Sequence, residues 1–296
     1  MDVSLQPHHL FFDELVKEVP DSEFGFVHRK SCFQTFDLDG DNLLSAAEFL
    51  ELCRALFRTA NSEFYGLDAL QLVEIFTLFD TNKDGYIDSQ EFVSCWEKWI
   101  RVICYPRCVL LVVDVQNDFI SGTLALHRCP AGHRGEEVVP AINKLVETIP
   151  FHLVVYSLDW HPQNHVSFID NVQLRDIHPT SKVCGEAAKE YDTVVFSGPP
   201  PMEQKLWPRH CVQGSLGSQL HPDLKVKDDA VFVHKGVNPE IDSYSAFWDN
   251  NKLSQTELHE ELTKWDITDV FCCGIAYDVC VVEGRERGQS QSPIEQ

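Results

Sequence analysis

The chain has 296 residues, 44% of them hydrophobic, and a formal net charge of −22. This length suits two domains better than one. The negative charge argues against nucleic acid or an anionic membrane as a partner, because their phosphates would be repelled. Residues 1–104 carry 19 acidic and 8 basic side chains, which favours a cation-binding module in the first third of the chain.

The first residues, MDVSLQPHHLFFDELVKEVP, have neither the basic nor the apolar region of a signal peptide. The eleven cysteines are therefore expected to stay reduced rather than to form disulfides. The longest strongly apolar run, CVLLVV, is far too short to cross a membrane. The sequence predicts a soluble intracellular protein, located in the cytoplasm with the nucleus as the alternative.

Two similar segments begin their acidic loops 43 residues apart, FDLDGDNLLSAAEF and FDTNKDGYIDSQEF. Each has oxygen side chains at positions 1, 3 and 5 of a twelve-residue loop and a glutamate at position 12, which is the spacing of calcium ligands. The segments resemble an EF-hand pair and predict an all-α calcium-binding domain over residues 1–104. The candidate ligands are Asp37, Asp39, Asp41, Leu43 and Glu48 in the first loop, and Asp80, Asn82, Asp84, Tyr86, Asp88 and Glu91 in the second.

The two loops differ at the sharp turn, where the second has Gly85 and the first has Asn42. Asparagine tolerates a left-handed backbone better than most residues, so the first loop is expected to be weakened rather than abolished. The alternative for either loop is an acidic turn that keeps the fold without binding an ion. Apolar residues at position 8, Leu44 and Ile87, predict a short two-stranded contact between the loops.

From residue 105 the pattern changes to short β-branched runs separated by helix-length stretches: CVLLVVD, HLVVYSLD, AVFVHK and VFCCGIA. This spacing predicts a parallel sheet flanked by helices, in which functional residues gather at the carboxyl ends of the strands. Four reactive residues follow these runs, Asp114, Asp159, Lys235 and Cys280. Each by itself is compatible with an ordinary loop or core position, but together they predict one shared crevice.

The motifs LLVVDVQNDF, HKG and GIAYDVC resemble those of the isochorismatase-like cysteine hydrolases, and DWHPQNHVSF and WPRHCVQGS narrow the resemblance to the nicotinamidases. The match covers residues 108–280, and we assign residues 105–280 to this domain. The resemblance implies hydrolysis of nicotinamide to nicotinate and ammonia in NAD salvage. A cysteine at position 280 favours amide hydrolysis over the vinyl-ether hydrolysis of isochorismate.

The resemblance also implies roles for individual residues. Asp114 would take the proton of Cys280, Lys235 would hold that pair electrostatically, and the thiolate would form a thioester that water hydrolyses. The oxyanion would lie on the backbone N–H groups of Ala276 and Cys280, with a cis peptide between Ile275 and Ala276. Phe119 and Trp207 would form walls around the substrate ring.

The metal ligands implied are Asp159, His161 and His210, an Asp/His/His set that suits zinc first, with iron or manganese as alternatives. Asp159 and His161 are two residues apart, so their side chains lie on the same side of an extended strand end. His165 is a fourth, variably used ligand in this interpretation. In the resembling enzymes this metal binds the pyridine nitrogen and orients the amide, and the small-molecule substrate and calcium are the other expected partners.

Residues 171–201 are longer than a simple connection requires and contain one predicted strand, TVVF. We interpret them as a surface insertion near the pocket mouth. Residues 281–296 depart from the family pattern: after Val281 and Val282 the sequence EGRERGQSQSPIEQ has no apolar stripe and predicts a disordered tail. The expectation is a hydrolase domain truncated at its carboxyl end, with an uncovered sheet edge that favours self-association.

Two further functions therefore remain open beside the nicotinamidase. One is a catalytically impaired, truncated variant that acts only as a calcium-binding or interaction module. The other is an amidase that acts on a different small amide. A folded pocket that binds a transition metal would favour an enzyme over the calcium module.

Overall fold

The computed structural model describes residues 10–18, 25–58, 67–129 and 132–282. The chain forms two compact units that divide between Pro106 and Arg107. No disulfide joins any of the eleven cysteines, all of which lie in the described ranges. Within these ranges every helix is too short or too polar to span a bilayer. The tail predicted for residues 281–296 lies, from residue 283 on, outside the described residues.

The first unit is helical, with two short strands between its helices. Its elements are α1 (Phe11–Glu18), α2 (Phe26–Phe36), β1 (Leu44–Ser45), α3 (Ala46–Leu56), α4 (Ala69–Phe79), β2 (Tyr86–Ile87), α5 (Glu91–Cys95), a π-helical turn (Trp96–Ile100) and α6 (Arg101–Cys104). Strand β1 pairs antiparallel with β2 and places Leu44 opposite Ile87, as the apolar residues at position 8 predict. Both residues are fully buried, so this contact joins the two loops to the core of the unit.

The second unit contains a four-stranded parallel sheet in the order β7-β4-β3-β8. Its elements are β3 (Cys108–Val113), α7 (Asn117–Ile120), α8 (Val138–Thr148), β4 (Leu153–Asp159), β5 (Thr193–Phe196), β6 (Met202–Lys205), β7 (Val231–Lys235), α9 (Leu258–Lys264), β8 (Asp269–Gly274) and a π-helical turn (Tyr277–Val281). The four β-branched runs of the sequence are the four strands of this sheet. The predicted class, an EF-hand region followed by an α/β domain with a parallel sheet, is confirmed.

The central strands are buried on both faces, which is why their sequences are continuously apolar rather than alternating. Along β3, Leu110 and Val112 belong to one core cluster, whereas Val109, Leu111 and Val113 belong to the other. Strand β8 is different because it pairs only with β3 among the described residues. Its Phe271 side chain is 52% exposed.

The predicted insertion contributes the first strand of a small antiparallel hairpin, whose second strand lies just beyond it. Strand β5 coincides with the predicted strand TVVF, and it pairs with β6, which the sequence did not reveal. Val194 and Phe196 are buried in a separate apolar cluster together with Leu206. The hairpin therefore has its own core instead of extending the parallel sheet.

Candidate active site

The carboxyl ends of the parallel strands bring the reactive residues together. Asp159 is aligned with Lys235 in the β4–β7 register, and Val113, the residue before Asp114, is aligned with Gly274 of β8. Cys280 follows β8 in the π-helical turn. In a parallel sheet these ends lie along one edge, so residues far apart in sequence converge there.

Lys235 is the centre of this cluster. Its side chain is completely buried, and its Nζ lies 2.9 Å from Asp114 Oδ2 and 3.6 Å from Cys280 Sγ. The same ammonium donates a hydrogen bond to Asp159 Oδ1 and another, of 3.1 Å, to the Ser243 carbonyl oxygen. One cation thus contacts the candidate base, a candidate metal ligand and the candidate nucleophile.

Burial and Lys235 have opposing effects on the charges of this cluster. Burial raises the pKa of Asp114, and this effect exceeds the opposing effect of Lys235. Burial also raises the pKa of Cys280 well above that of a free thiol, although Lys235 acts against it. A thiol in this environment is neutral at rest. Its sulfur and Asp114 Oδ2 lie 3.6 and 2.9 Å from the same Lys235 Nζ. The pair is therefore arranged for transfer of the thiol proton to the carboxylate.

The peptide bond between Ile275 and Ala276 is cis, as the family resemblance implies. Ala276 precedes the π-helical turn, and its carbonyl accepts hydrogen bonds from the N–H groups of Val279 and Val281. Within the described part of the chain, the Ala276 N–H has no hydrogen-bond acceptor. This group is therefore a donor that remains available for an oxyanion beside Cys280.

Asp159, His161 and His210 form a second buried group next to Lys235. Their ligand atoms lie within 4.8 Å of one another. The Nε2 atoms of His161 and His210 are 3.4 and 3.6 Å from Asp159 Oδ2. Burial alone would raise the pKa of Asp159, but Lys235 and His161 hold it well below the usual range, so this carboxylate is an anion.

The Nδ1 atoms of these two histidines are held by backbone carbonyl oxygens, as is usual for histidines that bind a metal through Nε2. His161 Nδ1 lies 2.9 Å from the Gly236 carbonyl oxygen and His210 Nδ1 lies 2.7 Å from the Pro208 carbonyl oxygen. A carbonyl only accepts, so each Nδ1 must carry a proton, which leaves Nε2 as the ring nitrogen that can bind a metal once it is deprotonated. This is the arrangement that orients metal-ligating histidines, and the residues present fit a divalent transition metal.

His165 lies outside this group. It stacks on His161, with 4.1 Å between ring centroids, and its ring nitrogen clusters with His161 and Asp242. The Ser167 N–H donates to His165 Nδ1 at 3.3 Å, which leaves the proton on Nε2. Burial lowers the pKa of His165 to about 3, so the ring is neutral. The fourth ligand considered from the sequence therefore stays a prediction, because His165 groups with His161 and Asp242 rather than with Asp159 and His210.

The two predicted ring walls pack on the same apolar cluster, and one of them contacts the metal group. Phe119 is buried, with its ring centroid 5.5 Å from that of His210. Trp207 is half-buried and packs against the same apolar cluster as Phe119. Its Nε1–H donates to the Tyr244 hydroxyl at 3.3 Å, which fixes the plane of the indole.

Several supporting residues escaped sequence reasoning because their roles depend on contacts over long sequence separations. The Ser157 hydroxyl donates to Asp114 Oδ1 at 2.7 Å. The Gln116 side chain bonds both the N–H and the carbonyl of Asp159, at 2.8 Å each. Ser157 is the inward-facing residue two before Asp159, so strand alternation was the only signal in the sequence that could have indicated it.

The first acidic loop of the helical unit fits a cation. Oxygens of Asp37, Asp39 and Glu48 lie within 4.8 Å of one another, and Asp37 Oδ1 is buried with no hydrogen-bond partner in the described residues. Asn42 adopts a left-handed φ of 65°. Of the other predicted ligands, Asp41 accepts from the Leu43 N–H at 2.8 Å.

The second loop has the same architecture. Gly85 takes the left-handed turn with φ of 86°, and its N–H donates to Asp80 at 3.0 Å. The predicted ligands Asn82, Asp84, Tyr86 and Asp88 are joined by hydrogen bonds within the loop or to its closing glutamate. Burial alone would raise the pKa of Glu91, but hydrogen bonds from backbone N–H groups of the loop lower it.

Comparisons with known proteins agree with both units. Residues 108–284 match the isochorismatase domain model, and residues 27–96 match an EF-hand domain pair. The chain is 37% identical over 178 residues to the nicotinamidase of Escherichia coli (strain K12), a match that covers 60% of this chain and 73% of that protein. It is also 37% identical over 68 residues to the calcium-binding protein CML24 of Arabidopsis thaliana, covering 23% of this chain and 38% of that protein.

Among solved structures, a nicotinamidase/pyrazinamidase of Acinetobacter baumanii superposes with a TM-score of 0.52 at 34% identity, covering 63% of this chain and 79% of that one. The yeast nicotinamidase Pnc1p gives the same TM-score at 30% identity, covering 62% and 82%. These relatives match the hydrolase unit, and its domain model spans more than half of the chain. The chain therefore belongs to the isochorismatase family of hydrolases and carries an EF-hand pair ahead of the hydrolase domain.

Proposed function

We propose that this protein hydrolyses nicotinamide to nicotinate and ammonia. The observation that carries the proposal is the buried contact of Lys235 with Asp114, Asp159 and Cys280, next to an Asp/His/His group. The relatives that align with this unit at 33–37% identity are nicotinamidases. In this proposal residues 1–104 form the calcium-binding domain and residues 105–280 the hydrolase domain. The nicotinate produced enters NAD salvage.

The residues of the chain have distinct parts in the reaction. Asp114 accepts the proton of the Cys280 thiol, and Lys235 stabilises the resulting thiolate by its positive charge. The thiolate sulfur attacks the amide carbon, while the Ala276 and Cys280 N–H groups donate to the oxyanion. Asp114 returns the proton to the departing ammonia. A water molecule then attacks the thioester carbon and Asp114 accepts its proton. The carbon–sulfur bond breaks, and Asp114 returns that proton to the Cys280 thiolate, which restores the resting thiol.

Asp159, His161 and His210 would hold the divalent metal, with zinc as the first candidate and iron or manganese as alternatives. A metal bound there supplies a Lewis-acidic position for the pyridine nitrogen of the substrate. Phe119 and Trp207 enclose the ring, and the amide carbon is directed towards Cys280. Binding of the ring thus depends on one group of residues and the chemistry on another.

The experiment is ammonia and nicotinate release from nicotinamide by the zinc-loaded chain, measured beside Cys280→Ala and Cys273→Ala. Cys273 is a half-buried cysteine of β8, so its substitution makes the same chemical change away from the proposed nucleophile. We expect Cys280→Ala to lose activity by at least about a thousandfold, and Cys273→Ala to retain it. Equal turnover by the wild-type chain and Cys280→Ala would contradict the proposal.

The acidic loops are proposed to bind calcium through the eleven residues predicted from the sequence. Their match to an EF-hand pair supports this assignment. Titration calorimetry with calcium, repeated on Glu91→Gln, tests it at the second loop. Loss of one binding event in the variant is the expected result, because position 12 supplies the bidentate carboxylate.

A further inference from the structure

The Lys235 ammonium has a neutral acceptor in addition to the two carboxylates and the thiol. This acceptor is the Ser243 carbonyl oxygen, at 3.1 Å. A carbonyl in this position limits where the ammonium lies between Asp114 and Asp159, since a flexible lysine side chain could otherwise approach either anion. The location of the Ser243 peptide therefore affects the distance from Lys235 to the thiol.

The Ser243 peptide is itself held by a buried carboxylate. Asp242 is 3% exposed, and its Oδ1 accepts from the Ser243 N–H at 2.8 Å. Its Oδ2 accepts from Gln204 Nε2 at 2.9 Å. Gln204 is a buried residue of β6, and its Nε2 also donates to the Lys205 carbonyl at 2.8 Å. A continuous chain of contacts thus runs from the β5–β6 hairpin to Lys235.

The buried carboxyl group of Asp242 indicates a specific role. No lysine or arginine in the described residues forms an ion pair with it, although ring nitrogens of His161 and His165 lie within 4.8 Å of its carboxylate oxygen. Burying a carboxylate without a cation is costly, and an apolar side chain would fill the same space at a lower cost. A carboxylate differs from such a side chain in that it accepts hydrogen bonds from Ser243 and Gln204 at the same time.

We propose that Asp242 and Gln204 are positioning residues that hold the Ser243 carbonyl against Lys235, so that the inserted hairpin supports the catalytic centre. This inference rests on the proposed function for the role of Lys235. It assigns a task to residues 193–205, whose hairpin is otherwise a separate small layer beside the parallel sheet. Neither residue touches the substrate in this proposal.

The test compares Asp242→Ala, Asp242→Asn, Gln204→Leu and the double variant Asp242→Ala with Gln204→Leu. We expect Asp242→Ala to lower kcat by up to about 100-fold with little change in KM, because misplacing a catalytic group slows the chemical step without weakening ring binding. Asp242→Asn keeps an oxygen for the Ser243 N–H and should restore most of kcat. The double variant should be no slower than Asp242→Ala, since both changes break the same chain of contacts.

A second readout does not depend on nicotinamide. Iodoacetamide alkylates Cys280 through its thiolate, which Lys235 stabilises, and peptide mass spectrometry separates this cysteine from the other ten. We expect alkylation of Cys280 to slow in Asp242→Ala. Asp249→Ala is the matched control, because Asp249 is a buried carboxylate that accepts from the Leu253 and Ser254 N–H groups of its own loop.

The outcomes separate this inference from the proposed function. Unchanged kcat and unchanged alkylation in Asp242→Ala would overturn the positioning role. Equal losses in Asp242→Ala and Asp249→Ala, or strictly additive losses in the double variant, would also overturn it. A wild-type chain that releases no ammonia, but whose Cys280 alkylation still slows in Asp242→Ala, would contradict the proposed function and support the positioning role.

Discussion

Replacing Lys235 with methionine tests the buried charge arrangement most directly. The ammonium lies 2.9 Å from Asp114 Oδ2, bonds to Asp159 Oδ1 and is completely buried. Methionine retains an unbranched apolar chain but removes the charge, so two buried carboxylates are left without their cation. Removing one partner of a buried ion pair costs about 3–5 kcal/mol of folding free energy.

Hydrogen exchange of the β3 and β4 amides measures this loss in the hydrolase unit alone, without interference from the EF-hand pair. Because each 1.4 kcal/mol is a factor of ten, we expect Lys235→Met to accelerate their exchange more than about 100-fold. Lys225→Met is the control, since Lys225 pairs with Glu147 at the surface and both side chains are more than half exposed. Lys225→Met should lower the folding free energy by less than about 1 kcal/mol.

The folding free energy that Lys235→Met loses should also depend on pH. In the wild type, Asp159 has a pKa well below its unfolded value, so it stabilises the fold above that unfolded value and loses this contribution as the pH falls. In Lys235→Met, burial raises the pKa of Asp114 further above its unfolded value, and Asp159 loses the largest of the effects that lower its pKa, so stability is lost as the pH rises. The difference in folding free energy between the wild type and Lys235→Met should therefore be larger at pH 7 than near pH 4.5. A small deficit, independent of pH, would refute the charge arrangement.

Three other substitutions test separate parts of the structure. Asn42→Gly removes the cost of a left-handed asparagine, so calorimetry should show tighter calcium binding at the first loop, by about fivefold; an unchanged affinity would contradict this. Gly217→Ala places a Cβ 2.0 Å from Asp118 Oδ2 and should destabilise the hydrolase unit by about 1–3 kcal/mol in exchange measurements, whereas Gly198→Ala, with 3.8 Å of space, should not. His210→Ala should weaken zinc binding at least about tenfold in chelator competition, and retained affinity would exclude His210 as a ligand.

The sequence alone predicted the elements whose signals are local. Calcium ligands recur at fixed positions within twelve residues, so the two loops and the pairing of Leu44 with Ile87 were predictable. The four parallel strands followed from continuous apolar runs, because a strand buried on both faces must be apolar throughout. Asp114, Asp159 and Lys235 were predictable for a similar reason: they directly follow or end such strands.

The tertiary structure decided which of the candidates meet. His210 groups with Asp159 although it is far away in sequence, whereas His165, only six residues from Asp159, groups with His161 and Asp242. Spacing does not determine such choices, because the direction of a side chain in a loop depends on the backbone path and on its hydrogen bonds. The Gln204–Asp242 contact, between residues 38 positions apart, had no signal in the sequence for the same reason. Sequence thus determined which groups stand at the strand ends, and packing determined which of them act together.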